Sequence, residues 1–263
     1  YHNQMKKERF ITFMITCLVG FNIYAQDKFI SANPIHPGEV IINGHVNKYK
    51  GLDKTGSITF VDAVTRIDNH ELISIDSTGN FKTSFDLVCP TMFSYIQIGR
   101  IFFFLYLVPG ETYTITINEN GTHVFSGENS ALNNQIFDLN EAIRARFKKD
   151  MDKLNLYYQN DQSDYQSFEK FCDDLSKKKL AFVDEYCKKK EINQKAYDLV
   201  KLDITYEPAW NLIGFRMVSS NTILKKRKGL PANFYQHLYD RFQINNPKAI
   251  ACKSYMNYIS NIR

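Results

Sequence analysis

Residues 101–108 (IFFFLYLV) are an unbroken apolar run that stops at Pro109-Gly110. Strict alternation follows, with Tyr113, Ile115 and Ile117 set against Thr112, Thr114 and Thr116. Proline presets φ at the second position of a turn and glycine accepts positive φ beside it, so the spacing predicts two strands joined by a turn. The first strand reads as buried on both faces and near the centre of the fold, the second as buried on one face. A chain holding this segment has to build a β core around it. Nothing in the stretch can do covalent chemistry.

The same grammar extends outward from this pair. Val40, Ile41 and Ile42 lead into Gly44, His45 and Val46, and Ile58, Phe60 and Val61 follow a lysine-containing loop. Ile73 and Ile75 alternate with Leu72, Ser74 and Asp76, then the turn residues 77–80 (STGN) precede Phe81, Thr83 and Phe85, a spacing that predicts a hairpin. Residues 91–98 give a further strand, Gly99-Arg100 a tight turn, and residues 122–125 a last short strand. Seven or eight strands between positions 38 and 128 predict an antiparallel β-sandwich, with a closed barrel as the alternative.

After Gly127 the period changes from two to between three and four. Leu132, Ile136, Leu139, Ile143 and Phe147 predict a first helix. Ser163 with Gln166 fits a capping box ahead of a long helix carrying Phe168, Cys172, Leu175, Phe182 and Tyr186. A third helix runs from Asn193, with Pro208 as a kink, to about residue 220. Pro231 opens a fourth and Asn246-Pro247 a fifth. The fold class is therefore segregated α+β, a sandwich over 38–128 followed by a helical region over 129–263. Charge changes at the same place. Residues 27–138 hold 7 basic and 12 acidic side chains, whereas residues 139–263 hold 23 and 15. These coincident changes predict two folding units joined near residues 127–138.

The beginning of the chain carries an address. Lys6, Lys7 and Arg9 precede an apolar stretch to Tyr24 and the small residue Ala25, the pattern of a signal peptide over 1–25, with residues 1–4 upstream of the start at Met5. The apolar part is about 15 residues where a bilayer span needs about 20. A retained signal segment and lipidation at Cys17 are the two routes left to membrane association. Residues 26–37, with Pro34 and Pro37, read as an arm leading into the sandwich. Export argues against a nucleic-acid partner, although the lysine runs 177–179, 188–190 and 225–228 are basic. Acidic neighbours favour solvated, salt-paired faces for the first two, and a helix-end position does so for the third.

Catalytic, cofactor and metal sites are all read as none. His36, His45, His70, His123 and His237 have no second ligand at helix or hairpin spacing. The carboxylate pairs Asp173-Asp174 and Asp184-Glu185 stand beside lysines and read as salt-paired. No G-x-S-x-G elbow, phosphate loop or CxxC occurs. Cys89, Cys172, Cys187 and Cys252 read as small buried side chains, and their pairing is left open with one exception. On one helix Cys172 and Cys187 stand about 22 Å apart, too far to bridge.

Several segments occur in a familiar order: Val40-Ile41-Ile42-Asn43-Gly44-His45-Val46, Asp76-Ser77-Thr78-Gly79-Asn80-Phe81, Leu107-Val108-Pro109-Gly110-Glu111-Thr112-Tyr113, and Phe125-Ser126-Gly127-Glu128-Asn129. Together they resemble the β-sandwich domain that precedes the thioredoxin domain of exported TlpA-like thiol-disulfide oxidoreductases, over roughly residues 38–138. The later helices are similar to that family's linker region. The resemblance implies a non-catalytic portion of an oxidoreductase exported to the periplasm or cell envelope of a Gram-negative bacterium, partnered by a thioredoxin domain in cis or in trans. The family's Trp-Cys-x-x-Cys is absent, since the single tryptophan, Trp210, lies between Ala209 and Asn211. A free-standing envelope binding or structural module, partnered by other envelope proteins, is the alternative.

Overall fold

The computed structural model describes residues 35–51, 53–127, 130–160, 163–220 and 229–262. The signal segment, Cys17 and the basic run 225–228 lie outside the described residues. Eight strands form two four-stranded sheets. They are β1 (Gly38–Val46), β2 (Thr55–Val61), β3 (Asp68–Ser74), β4 (Asn80–Leu87), β5 (Thr91–Ile98), β6 (Ile101–Leu107), β7 (Thr112–Ile117) and β8 (His123–Ser126). One sheet has the order β4-β1-β7-β8 and the other β3-β2-β5-β6. Alternation does the packing: Val40, Ile42, Ile58, Ile73, Ile96, Ile115 and Ile117 are each fully buried between the sheets.

The hairpin expected around residues 77–80 does not form: that turn, like the Pro109-Gly110 turn that joins β6 and β7, carries the chain from one sheet to the other. At residues 76–79 the Asp76 carboxylate accepts from the Thr78 and Asn80 amides at 2.8 and 2.9 Å. Beyond the turn only a single bridge, Ile75 with Phe81, joins the two strands. At Pro109-Gly110, where Gly110 has φ of +81°, β6 and β7 part into different sheets. Strand β7 then pairs with β1 in parallel, Ile41 opposite Thr112 through Val46 opposite Ile117, so this sheet is mixed rather than wholly antiparallel. The local turn chemistry is the same for a hairpin and a corner. What decides between them is where the next strand buries Tyr113, Ile115 and Ile117.

Strand β6 is also not central. It lies at the end of its sheet beside β5. Phe103, Leu105 and Leu107 face the sandwich core, while Phe102 and Phe104 face out with 50% and 37% of their surface exposed. The run is continuous because its outward residues form an aromatic cluster with Tyr95, at ring separations of 4.8 Å to Phe102 and 6.2 Å to Phe104.

Among the described residues six α-helices follow: α1 (Ser130–Arg146), α2 (Lys148–Gln159), α3 (Tyr165–Lys189), α4 (Gln194–Ser220), α5 (Phe234–Arg241) and α6 (Lys253–Asn261). Helix α2 had no counterpart in the sequence reading; a one-residue break at Phe147 separates it from α1. The cap of α3 is Asp164, which accepts from the Ser167 amide at 2.9 Å, and Ser163 is buried instead. Pro208 sits inside α4 and deprives the Ile204 carbonyl of its helical donor. The Ser176 hydroxyl of α3 fills that role at 3.1 Å. Asn246-Pro247 starts a short 3₁₀ turn, and α6 proper begins six residues after Pro247.

Helix α1 lies along the flank where β6 and β8 leave their sheets unpaired. Asn133 accepts the Tyr106 N–H at 2.7 Å and donates to the Tyr106 carbonyl at 2.9 Å. Its neighbour Asn134 does the same for Phe125 of β8, at 3.0 and 2.9 Å. Two consecutive side-chain amides thus pair with one residue on each open edge, which blunts both edges toward other chains. A second apolar core forms among the helices. It reaches under the sandwich to Ala63, Cys89, Met92, Tyr106 and Val108.

Candidate functional site

A cavity of about 320 Å³ opens at this seam, bounded by β6, the inner side of α1, and single residues of α2, α3, α4 and α6. Its walls are apolar where Met92, Phe102, Ile136 and Phe137 line it and charged where Lys179, Asp203 and Lys253 do. An apolar pocket with a few converging polar groups is the usual form of a small-molecule site.

Each charge has an identifiable setting. Lys179, 4% exposed, holds Glu207 by two bonds of 2.6 and 2.8 Å and its ammonium also lies 3.6 Å from the Met151 sulfur. This corrects the reading of residues 177–179 as a solvated face. The Asp203 carboxylate accepts the Ser254 amide at 2.6 Å, so a residue of α4 caps α6, whose own N-cap residue Cys252 makes no side-chain cap. Burial pushes the Asp203 carboxyl up, tempered by that amide. Burial also pulls the Lys253 ammonium down, opposed by Asp203. Lys253 sits over the rings of Phe104 and Phe93, at 4.3 and 5.3 Å from their centroids. At the rim Arg144 pairs with Glu141 at 2.7 Å.

The thiols stand apart from this site. Cys89, Cys172 and Cys252 are buried and Cys187 is partly so; none of the four is in a disulfide. Desolvation raises all four thiols above their ordinary range, Cys252 furthest from water. The Cys252 Sγ–H donates to the Leu199 carbonyl, at 3.7 Å.

The histidines do not converge. His45 meets Asn80 at 2.8 Å and His70 meets Thr59 at 2.9 Å. His237 meets Glu169 at 2.6 Å in a network where Arg241 also bonds Glu169 and takes Asp173 by two bonds of 2.7 and 2.8 Å. That network ties α5 to α3. His123 is 8% exposed, stacks on Phe103 at 3.8 Å, and has no hydrogen bond of ordinary geometry at either ring nitrogen. Desolvation lowers its pKa below 6.5. Among the described residues no group of three His, Cys, Asp or Glu side chains is placed to hold a metal, and no helix is long and apolar enough to cross a membrane. Asp173 and Asp184 are salt-paired as read from sequence, but across helices, to Arg241 and Lys201.

Sequence reasoning missed Asn133, Asp203 and Lys253. A signal existed for two of them: Asn133 lies next to the apolar stripe that α1 turns inward, and Asp203, Glu207 and Asn211 recur at four-residue steps within the largely apolar sequence of α4. Lys253 gave none, because its setting depends on β5 and β6.

The chain matches no family model and no curated protein. Among solved structures, a proposed cell adhesion protein from Bacteroides ovatus ATCC 8483 is similar at 12% identity and a TM-score of 0.25. The match covers 35% of this chain and 44% of that one, less than half of its length. A likeness of that size carries no argument about function.

Proposed function

We propose that this chain is a non-catalytic module of the Gram-negative cell envelope, the partner-presenting portion of a thiol-disulfide oxidoreductase whose thioredoxin domain is supplied in cis or in trans. The observation that carries the non-catalytic half of this reading is the state of the thiols. Exchange chemistry requires an accessible thiolate with a resolving partner beside it. Burial raises the four thiols among the described residues, and none of those four is paired. The oxidoreductase context rests on the ordered resemblance of residues 38–138.

Insulin reduction by the purified chain, with dithiothreitol as electron source, tests the first half: turnover at background is expected. Turnover above background that disappears on Cys→Ser substitution would refute it. For the second half, the reading frame past codon 263 and its genomic neighbours are searched for a Trp-Cys-x-x-Cys thioredoxin domain, and its absence from both counts against the oxidoreductase context. A free-standing envelope binding module is the second reading, favoured by the seam cavity.

A further inference from the structure

Of the cations that line the cavity, Lys179 is held by Glu207 and Arg144 by Glu141. Lys253 differs. Its ammonium makes no ion pair and no hydrogen bond among the described residues, and its close contacts are the faces of two phenylalanine rings. Rings attract a cation but leave its three N–H donors without acceptors. A second donor faces the same space. Asn133 takes both backbone groups of Tyr106 on the open side of β6. Alternation along an antiparallel strand turns the N–H of Phe104, two residues earlier, to that side as well. The cavity therefore offers a bare ammonium, an edge amide and an apolar wall that includes the half-exposed Phe102.

We propose that this cavity binds a small amphipathic carboxylate of the medium-chain fatty acid class, with its head group on the Lys253 ammonium and its chain along Met92, Phe102, Ile136 and Phe137. The sign of the head group follows from the donors. Glu141 is paired with Arg144, and Asp203 accepts the Ser254 amide and acts on Lys253 through space but forms no ion pair or hydrogen bond with it, so the donors of the ammonium stay open to an anionic head group. The apolar body follows from the lining. The size follows from the volume, since about 320 Å³ under α1 suits a small molecule and not an extended peptide laid along β6. This inference goes beyond the redox context and does not depend on it.

Calorimetric titration of the full chain with decanoate, decanol and decyltrimethylammonium, each below its micelle-forming concentration, tests it. Decanoate is expected to bind tightest, with decanol weaker by roughly tenfold to a hundredfold, the contribution of a hydrogen bond to a charged group, and the cation weakest. Lys253→Met should bring decanoate down to the affinity of decanol while leaving decanol unchanged. Phe102→Ser, at the half-exposed mouth, should weaken acid and alcohol by the same factor. Equal affinity for acid and alcohol, preference for the cation, no binding of any of the three, or a folded K253M that binds decanoate as well as the parent each overturns the proposal. Should K253M fail to fold, the acid-to-alcohol ratio of the unmodified chain decides alone.

Discussion

The two cores of this molecule are built on different terms. The sandwich core draws its buried apolar residues, Ile75 apart, from the β-strands of the two sheets, and the polar side chains those strands bury, Thr59, Thr91, Ser94 and His123, include no ion pair. The helical core buries Lys179 against Glu207 and holds Ser176 and Asn211 inside, and it borrows Ala63, Cys89, Met92, Tyr106 and Val108 from the sandwich. The sandwich closes on itself in apolar terms but leaves β6 and β8 open; the helices close those edges but complete their own core on sandwich side chains. Dependence therefore runs both ways across the seam, and the cavity lies where the two kinds of packing meet.

The largest expected effect concerns the buried charge. Lys179→Met strands Glu207, and since that carboxylate keeps 21% exposure the loss should fall near the low end for a broken buried pair, about 3 kcal/mol in urea denaturation. Adding Glu207→Met should restore stability to within about 1 kcal/mol of the parent, because two apolar side chains replace the pair. A single mutant as stable as the parent would mean that the helical core is no more polar in energetic terms than the sandwich.

The edge clamp comes next. Asn133→Ala leaves a buried N–H and C=O of Tyr106 without partners and should cost about 2 kcal/mol, whereas Asn134→Ala, at a part-buried site, should cost about 1 kcal/mol. The loss of Asn133 should also promote self-association through β6, measurable by analytical ultracentrifugation. Equal costs for the two asparagines would contradict the difference in burial between the two edges.

The smallest effect tests the sandwich's buried histidine. His123 has a folded-state pKa below 6.5, so on acidification the unfolded chain takes up a proton that the folded chain resists. Stability is full above 6.5 and is lost as pH falls through and below it. His123→Phe should remove about 1 kcal/mol of the difference between thermal unfolding at about pH 7.5 and at about pH 5.5. An unchanged difference would place the acid sensitivity elsewhere.

The sequence made every strand visible, because alternation at Val40, Ile42, Ile58, Phe60, Tyr113, Ile115 and Ile117 reports one buried face. Helices α1, α3 and α4 were legible for the corresponding reason at the longer period. Partner choice was not legible. Residues 76–80 and Pro109-Gly110 have good turn chemistry, which is local, while the parallel pairing of β1 with β7 joins residues some 70 positions apart. The run 101–108 misled for a related reason: an edge strand covered by helices on one flank and carrying an aromatic cluster on its face has the same composition as a central one. For the site, composition placed Lys179 in a solvated lysine run, and only the position of Glu207 on a neighbouring helix takes it inside.

Hydrogen exchange followed segment by segment, as denaturant is raised, tests the mutual dependence most directly. Amides of β1 around Ile42 and of α4 around Leu212 are both fully buried in their respective cores. Exchange of both sets at one common free energy, with one common denaturant dependence, is the predicted result. Loss of protection in α4 at denaturant concentrations where β1 remains fully protected, or the reverse, would contradict it and return the molecule to two independent folding units.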